Sequence, residues 1–280
     1  MLALAARTEA ATLYGSTAAG GPGELYIINP ATGAVVQDVG PLNDAFGVNY
    51  GVTGLAFNPF NGLLYGSTGN SVAATAARLI TINPNTALVT VVGSFNAGPV
   101  SGSGTPATMA DIAFDPTSAS LFGVGSVGGP QLYSINLGTG QATVLGTTGL
   151  TSTTGGGLAV STASIFYGTP TASRFGTYNP GTGAYTDIAN PTKPVSGAYA
   201  ALAFDGSVLY GLNLGSGAPP PTHLVTINLA TGAVTDIGAS VSSLDAIAFQ
   251  PVPEPSTMAL LLGFGAMGML INVRRRLICR

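Results

Sequence analysis

The chain has no tryptophan, one cysteine, one histidine and one lysine, and only 7% of its 280 residues are charged. An ordinary globular domain carries about 25% charged residues. Solubility must therefore rest on neutral polar groups. The lone Cys279 rules out an intrachain disulfide or a cysteine-based metal site. Lys193 is the only lysine, and Arg7, Arg78 and Arg174 are isolated, so no basic stripe exists to neutralise phosphates. Nucleic-acid binding is thereby disfavoured. What is abundant points to strands and turns: 41 glycines, 19 prolines and 46% hydrophobic residues, with few of the charged residues that favour helices.

Charge is unevenly placed. Arg274, Arg275, Arg276 and Arg280 hold half the positive charge, while residues 1–256 set four basic residues against all eleven acids, a formal charge of −7.

Three short patterns recur five times. The first is Leu-Tyr-Gly or a variant, at Leu13, Leu64, Leu121, Phe166 and Leu209. The second, typified by LYIINPATGAVVQDVG, starts at Leu25, Leu79, Leu132, Phe175 and Leu224. The third is GLAF-like, at Gly54, Asp111, Gly157, Ala201 and Ala246, with a mean spacing of 48 residues between Phe57 and Phe249. Each GLAF segment reads as a strand covered on both faces, and the Leu-Tyr-Gly segment as the next strand. The Asn-Pro-x-Thr-Gly motif turns the third strand into the fourth, with Pro30 presetting φ and Gly33 taking the left-handed position. Asn85-Thr86-Ala87 lacks that glycine and predicts a strained or differently bulged turn.

Four-stranded units repeating every 40–50 residues are the signature of a β-propeller. The expected fold is all-β, with five four-stranded blades. The chain starts on a second strand and reaches its last innermost strand at Asp245–Phe249, so that strand should complete the first blade and close the ring. The order resembles NHL-type bacterial propellers, and the absence of tryptophan argues against a WD-repeat protein. The inserts at 70–77, 97–108 and 215–222 are expected to be loops and the most variable binding surface. The expected division is 1–12 as a leader remnant or N-terminal extension belonging to an upstream start, 13–250 as propeller, and 251–280 as tail.

The tail reads VPEPSTMALLLGFGAMGMLINVRRRLICR. Its apolar run, Met258–Ile271, would extend about 21 Å as a helix, and flanking residues bring it close to the length that crosses a bilayer. Arg274, Arg275 and Arg276 would then lie on the cytoplasmic side. With Pro253, Glu254 and Pro255 ahead of it, the segment resembles the PEP-CTERM sorting signal of Gram-negative bacteria. The resemblance implies a single transmembrane helix, transient insertion in the inner membrane, cleavage by an exosortase, and delivery to the cell surface or extracellular matrix.

Candidate sites are sparse. His223 follows a triple proline with no paired acid or nucleophile evident, and reads as a solvated loop residue. Asp111 and Asp115 alternate on DIAFD, a spacing compatible with a cation site facing the channel, although both also suit structural roles. Gly123–Gly128 matches a dinucleotide fingerprint, but the strand-like Gln131–Asn136 follows where a helix is required. Tyr14, Tyr65, Tyr167 and Tyr210 recur in register and read as packing residues. Tyr50 and Tyr199 lie outside that register and are better candidates for ligand contact. No catalytic set, metal set or cofactor is expected. The leading expectation is a non-enzymatic binding or structural propeller whose partners are extracellular polysaccharide or matrix proteins; the alternative is a secreted lyase or hydrolase on polysaccharide.

Overall fold

In the computed structural model the described residues are 11–18, 22–69, 74–95, 108–125, 131–151 and 156–251. They form twenty strands. The first three are β1 (Leu13–Thr17), β2 (Glu24–Ile28) and β3 (Val35–Pro41). Blade I follows as β4 (Val52–Phe57), β5 (Leu64–Thr68), β6 (Arg78–Ile82) and β7 (Val89–Ser94). Blade II is β8 (Met109–Phe114), β9 (Leu121–Gly125), β10 (Gln131–Ile135) and β11 (Ala142–Thr147). Blade III is β12 (Gly157–Val160), β13 (Phe166–Thr169), β14 (Phe175–Tyr178) and β15 (Tyr185–Ala189). Blade IV is β16 (Ala198–Phe204), β17 (Leu209–Leu214), β18 (Thr222–Ile227) and β19 (Val234–Ala239), and β20 (Leu244–Phe249) comes last.

All five sheets are antiparallel meanders, and β20 pairs with β1 to complete blade V in the order β20-β1-β2-β3. The expected five-bladed fold and its closure by the final strand are thus present. Strands β4, β8, β12, β16 and β20 each pack against two neighbours of the same kind, forming the innermost ring. The burial follows the sequence: the GLAF strands are covered on both faces, while the outermost strands β3, β7, β11, β15 and β19 are largely exposed. Residues Ala11–Gln250 make one compact unit. Residues 1–10, 70–73 and 96–107, and the tail from 252 lie outside the described residues. So do the upstream leader, half of the insert predicted at 70–77, nearly all of the one at 97–108, and the transmembrane helix expected over Met258–Ile271. Among the described residues no helix is long and apolar enough to cross a membrane.

The recurring motifs are explained by contacts between blades. The aromatic of each second strand meets an aromatic of the next blade: Tyr14 with Phe57 at 5.4 Å between centroids, Tyr65 with Phe114 at 5.4 Å, Tyr167 with Phe204 at 5.8 Å and Tyr210 with Phe249 at 4.9 Å. Blade III carries Val160 where the others have phenylalanine, and there Phe122 meets Phe166 instead, edge-on at 4.7 Å. Such tilted and edge-to-face geometries add about 1 kcal/mol to the burial itself. The in-register tyrosines are therefore packing residues, as their recurrence suggested.

A second contact joins the outer strands. The turn between third and fourth strands is an Asx turn in each blade, with Ala31 N donating to Asn29 Oδ1 at 2.9 Å and Gly33 N to Asn29 O at 2.8 Å. The last residue of the turn is left-handed. Ala87 adopts it too, at φ 57°, and its amide makes the same bond to Asn83 O at 2.9 Å, so this turn is strained yet bulged like its equivalents. The left-handed glycine packs against the backbone of the preceding blade's outer strand: a Cβ on Gly140 would lie 2.8 Å from the Gly93 carbonyl carbon, and one on Gly146 would overlap the Thr182 carbonyl oxygen. Gly146→Ala must therefore push two blades apart and should cost about 2 kcal/mol or more, seen as a lower urea midpoint. Gly47→Ala, at φ 80° with open space around it, should cost only about 1 kcal/mol of backbone strain.

Candidate functional site

The repeat itself decides how the polar side chains are to be read. The residue before each third strand's leading apolar position faces, across a bulge, one residue of the fourth strand. In blade III this pair is Arg174 with Asp187, an ion pair at 2.8 Å. In blade IV it is His223 with Asp236, whose carboxylate oxygens both lie 3.0 Å from Nδ1. His223 is therefore not a loop residue but part of β18, bonded to an acid, and it occupies the place of a cross-strand ion pair. Among the described residues one carboxylate meets it, on the outer two strands of the blade. Blade V puts Glu24 opposite Asp38; partial burial first, then the neighbouring negative charge, raise the Glu24 carboxyl.

Tyr50 and Tyr199, expected to be contact residues, are 5% and 0% exposed. Both are inter-blade loop anchors. The Tyr199 hydroxyl donates to Thr192 O at 2.6 Å and the Tyr50 hydroxyl to Asp44 Oδ2 at 3.0 Å. They fall outside the repeat register because they pin connections between blades, which differ in length, and this same role buries them.

Asp111 is the strongest polar feature. It is completely buried. Its Oδ2 accepts the amides of Leu158 at 2.9 Å and Leu202 at 3.1 Å, and its Oδ1 accepts that of Ile112 at 2.9 Å. One carboxyl thus ties the inner strands of blades II, III and IV together across the axis. Burial holds this carboxyl well above the usual range, against the three amides that favour ionisation, and Asp245 adds to the rise. The expected pairing of Asp111 with Asp115 does not occur. Asp115 closes the turn after β8, accepting from Thr117 N at 2.9 Å and from the Ser164 hydroxyl at 3.0 Å.

Asp245 was not singled out in the sequence, and the structure places it beside the axis. The inner strands of blades I, II, IV and V each carry a bulge, with Thr53, Ala110, Ala200 and Asp245 as the extra residues. These four are partly accessible whereas the residues flanking them are buried. A bulge re-aims its side chain; that of Thr53 donates to Met109 O of the next blade at 2.7 Å. The Asp245 carboxyl has no hydrogen-bond partner among the described residues, and burial pushes it up to about 7. The signal in the sequence was a lone acid before a GLAF-type segment, Asp245-Ala246-Ile247.

Residues 47–204, more than half of the chain, match the family described as "Repeat of unknown function (DUF6923)". The chain belongs to that family. In this DUF6923 protein, residues 251–276 match the PEP-CTERM protein-sorting motif, covering Pro253, Glu254, Pro255 and Arg274, Arg275 and Arg276. The motif implies export and processing by an exosortase. No curated protein matches the DUF6923 chain in sequence. Among solved structures, TolB from Acinetobacter baumannii is 11% identical with a TM-score of 0.44, covering 86% of this chain and 67% of its own. The PQQ-bound aldose sugar dehydrogenase of Streptomyces coelicolor is 16% identical with a TM-score of 0.44, over 70% and 71% of the two chains. A protein of unknown function from Bacteroides caccae is 10% identical with a TM-score of 0.47, over 87% and 100%.

Two consequences are measurable. Asp111→Asn turns an amide group toward three donors, so at least one buried donor loses its acceptor. It should destabilise the protein by about 3 kcal/mol in urea unfolding. Asp245 titrates near 3.8 when unfolded and at about 7 when folded, so the folded chain binds more protons between those values and stability falls as pH rises across that window. Asp245→Asn should flatten the slope by up to about 1.4 kcal/mol per pH unit.

Proposed function

We infer that the protein is a non-enzymatic binding or structural component of the cell surface or extracellular matrix, delivered there after exosortase removes its tail. The sorting motif at 251–276 carries this reading. The only histidine supports it from the other side: His223 fills the position that Arg174 fills in blade III, where the pair braces a hairpin. The exposed surface adds a third argument. Its outer strands present threonine, valine and three aspartates but no lysine or arginine, a surface that suits contact with neutral polymers such as polysaccharide more than with anionic ones. Uncleaved anchoring in the inner membrane is the competing fate.

Mass measurement of the mature C-terminus in the native host tests the reading. The expected terminus lies near Pro253–Pro255, with the protein in the surface or matrix fraction. An intact chain ending at Arg280 in the inner-membrane fraction would contradict it. His223→Gln should leave binding to extracellular polysaccharide in pull-down unchanged and shift stability by no more than about 1 kcal/mol. Loss of a polysaccharide-cleaving activity on that substitution would favour the enzyme reading instead.

A further inference from the structure

Each inner strand runs into the next strand through a short connection. The antiparallel meander puts these connections, together with those between third and fourth strands, at one end of the propeller, and the links between blades at the other. Five large apolar side chains at the first end are between 40% and 69% exposed: Phe60, Leu63 and Leu88 in blade I, Ile165 in blade III and Val208 in blade IV. None of them belongs to a core cluster. Their turns are held by side chains. Phe60 N donates to Asn58 Oδ1 at 2.9 Å, Leu63 N to Asn61 Oδ1 at 3.0 Å, Ile165 N to Ser161 Oγ at 3.2 Å and Val208 N to Asp205 Oδ1 at 2.9 Å.

The fold does not require apolar residues there. Leu63, Ile165 and Val208 each stand immediately before a second strand, the position that Ser120 fills in blade II and Thr12 in blade V. Large apolar residues in three of five equivalent exposed places, with Phe60 on the same connection as Leu63, mark a contact surface. Charge narrows the partner. The described cations Arg78, Arg174 and Lys193 lie at the opposite end, while the connections of the apolar end carry only Asp115 and Asp205, whose carboxyls accept the amides of Thr117 and Val208, each at 2.9 Å. A partner bound through its negative charge finds no base on this surface. The chain also leaves from this end: β20 is an inner strand, so Phe249 lies at its apolar-end terminus, and Gln250 N donates to Thr12 O at 2.9 Å. The seven residue steps from Pro251 to the apolar run at Met258 span about 25 Å at most. A bilayer that holds that run is therefore within reach of the apolar end.

We propose that this end of the propeller is a lipid-docking surface: while the chain is still anchored, Phe60, Leu63, Leu88, Ile165 and Val208 rest in the boundary between headgroups and acyl chains of the bilayer. The tether makes the contact effectively intramolecular, so side chains too few to hold a free protein on a membrane suffice for a tethered one. Docking keeps Pro253, Glu254 and Pro255 at the membrane surface until the tail is removed, and removal frees the body because one of its two attachments is lost. The contact is apolar, so it needs no anionic lipid and survives salt. The proposal rests on the membrane insertion that the sorting motif implies, and not on whether the released body binds polysaccharide.

The absence of tryptophan makes a single-tryptophan measurement clean. The full chain carrying Phe60→Trp, and separately Phe46→Trp, is reconstituted into phosphatidylcholine vesicles with brominated acyl chains, which quench only a tryptophan that reaches them. Phe46 is 91% exposed on a link between blades at the opposite end. Brominated lipid should cut the Phe60→Trp emission by about half or more and that of Phe46→Trp by no more than about a tenth, and neither result should change in about 1 M salt. Leu63→Ser, Ile165→Ser and Val208→Ser, combined with Phe60→Trp, should abolish most of the quenching while the circular dichroism stays native, since serine already serves at this position in blade II. Equal quenching of the two tryptophan variants, no quenching of Phe60→Trp in chains that float with the vesicles, or undiminished quenching in the triple serine variant would each overturn the docking. Shielding of Phe60→Trp that follows protein concentration and not lipid would assign the surface to a second copy of the chain and overturn it likewise. Chains that do not float with the vesicles would overturn the insertion on which the proposal rests, a failure distinct from the others.

Discussion

The pairing of β20 with β1 is the contact on which the architecture depends. Leu13 lies opposite Phe249 and Ser16 opposite Ala246, so residues more than two hundred positions apart share one ladder. Loop-closure entropy grows only logarithmically with that separation, so the added cost over a short hairpin is a few kcal/mol. In return the ring has no open inner edge, and every blade gains two packed neighbours. The aromatic contacts depend on this closure directly: Phe249 meets Tyr210 of blade IV only because β20 is held in place by β1, and Tyr14 meets Phe57 from the other side of the same sheet.

Around this closed ring the inner and outer layers are built from different physics. The outer layer is stitched by backbone-to-backbone approach at glycines such as Gly140 and Gly146, and by cross-strand pairs such as Arg174 with Asp187. The inner layer is stitched by side chains that satisfy edge groups of neighbouring strands. Ser16 and Thr53 donate to the carbonyls of Val52 and Met109 in the next blade, and Asp111 accepts from three strands at once. Neutral hydroxyls and a single carboxyl suffice there. The scarcity of charge along the chain is therefore compatible with a well-connected fold, since few contacts that hold the blades together use an ion pair.

The blade count, the order of strands and the closing strand were legible because each repeat places the same residue in the same contact. Tyr65 and Phe114 recur because they touch; at Gly33 and Gly183 a side chain would collide with the backbone of the preceding blade. The polar residues were less legible. Reading DIAFD by strict alternation sets Asp111 and Asp115 on one face, but the bulge at Ala110 and the turn starting at Asp115 break that period, and Asp111 instead reaches the amides of two other blades. Asp245 escaped notice for the same reason: a bulge residue has no register from which its direction can be deduced. Tyr50 and Tyr199 stood outside the repeat and so looked free, whereas tethering the irregular connections buries them.

Native-state hydrogen exchange of the full chain measures the closure most directly. If the ring is sealed by its last strand, the amides of Tyr14, Gly15 and Ser16 in β1 open with the same free energy as those of Tyr167 and Gly168 in β13, because both belong to one cooperative unit. Much weaker protection in β1 and β20 than in β13, as expected of fraying ends, would contradict the account.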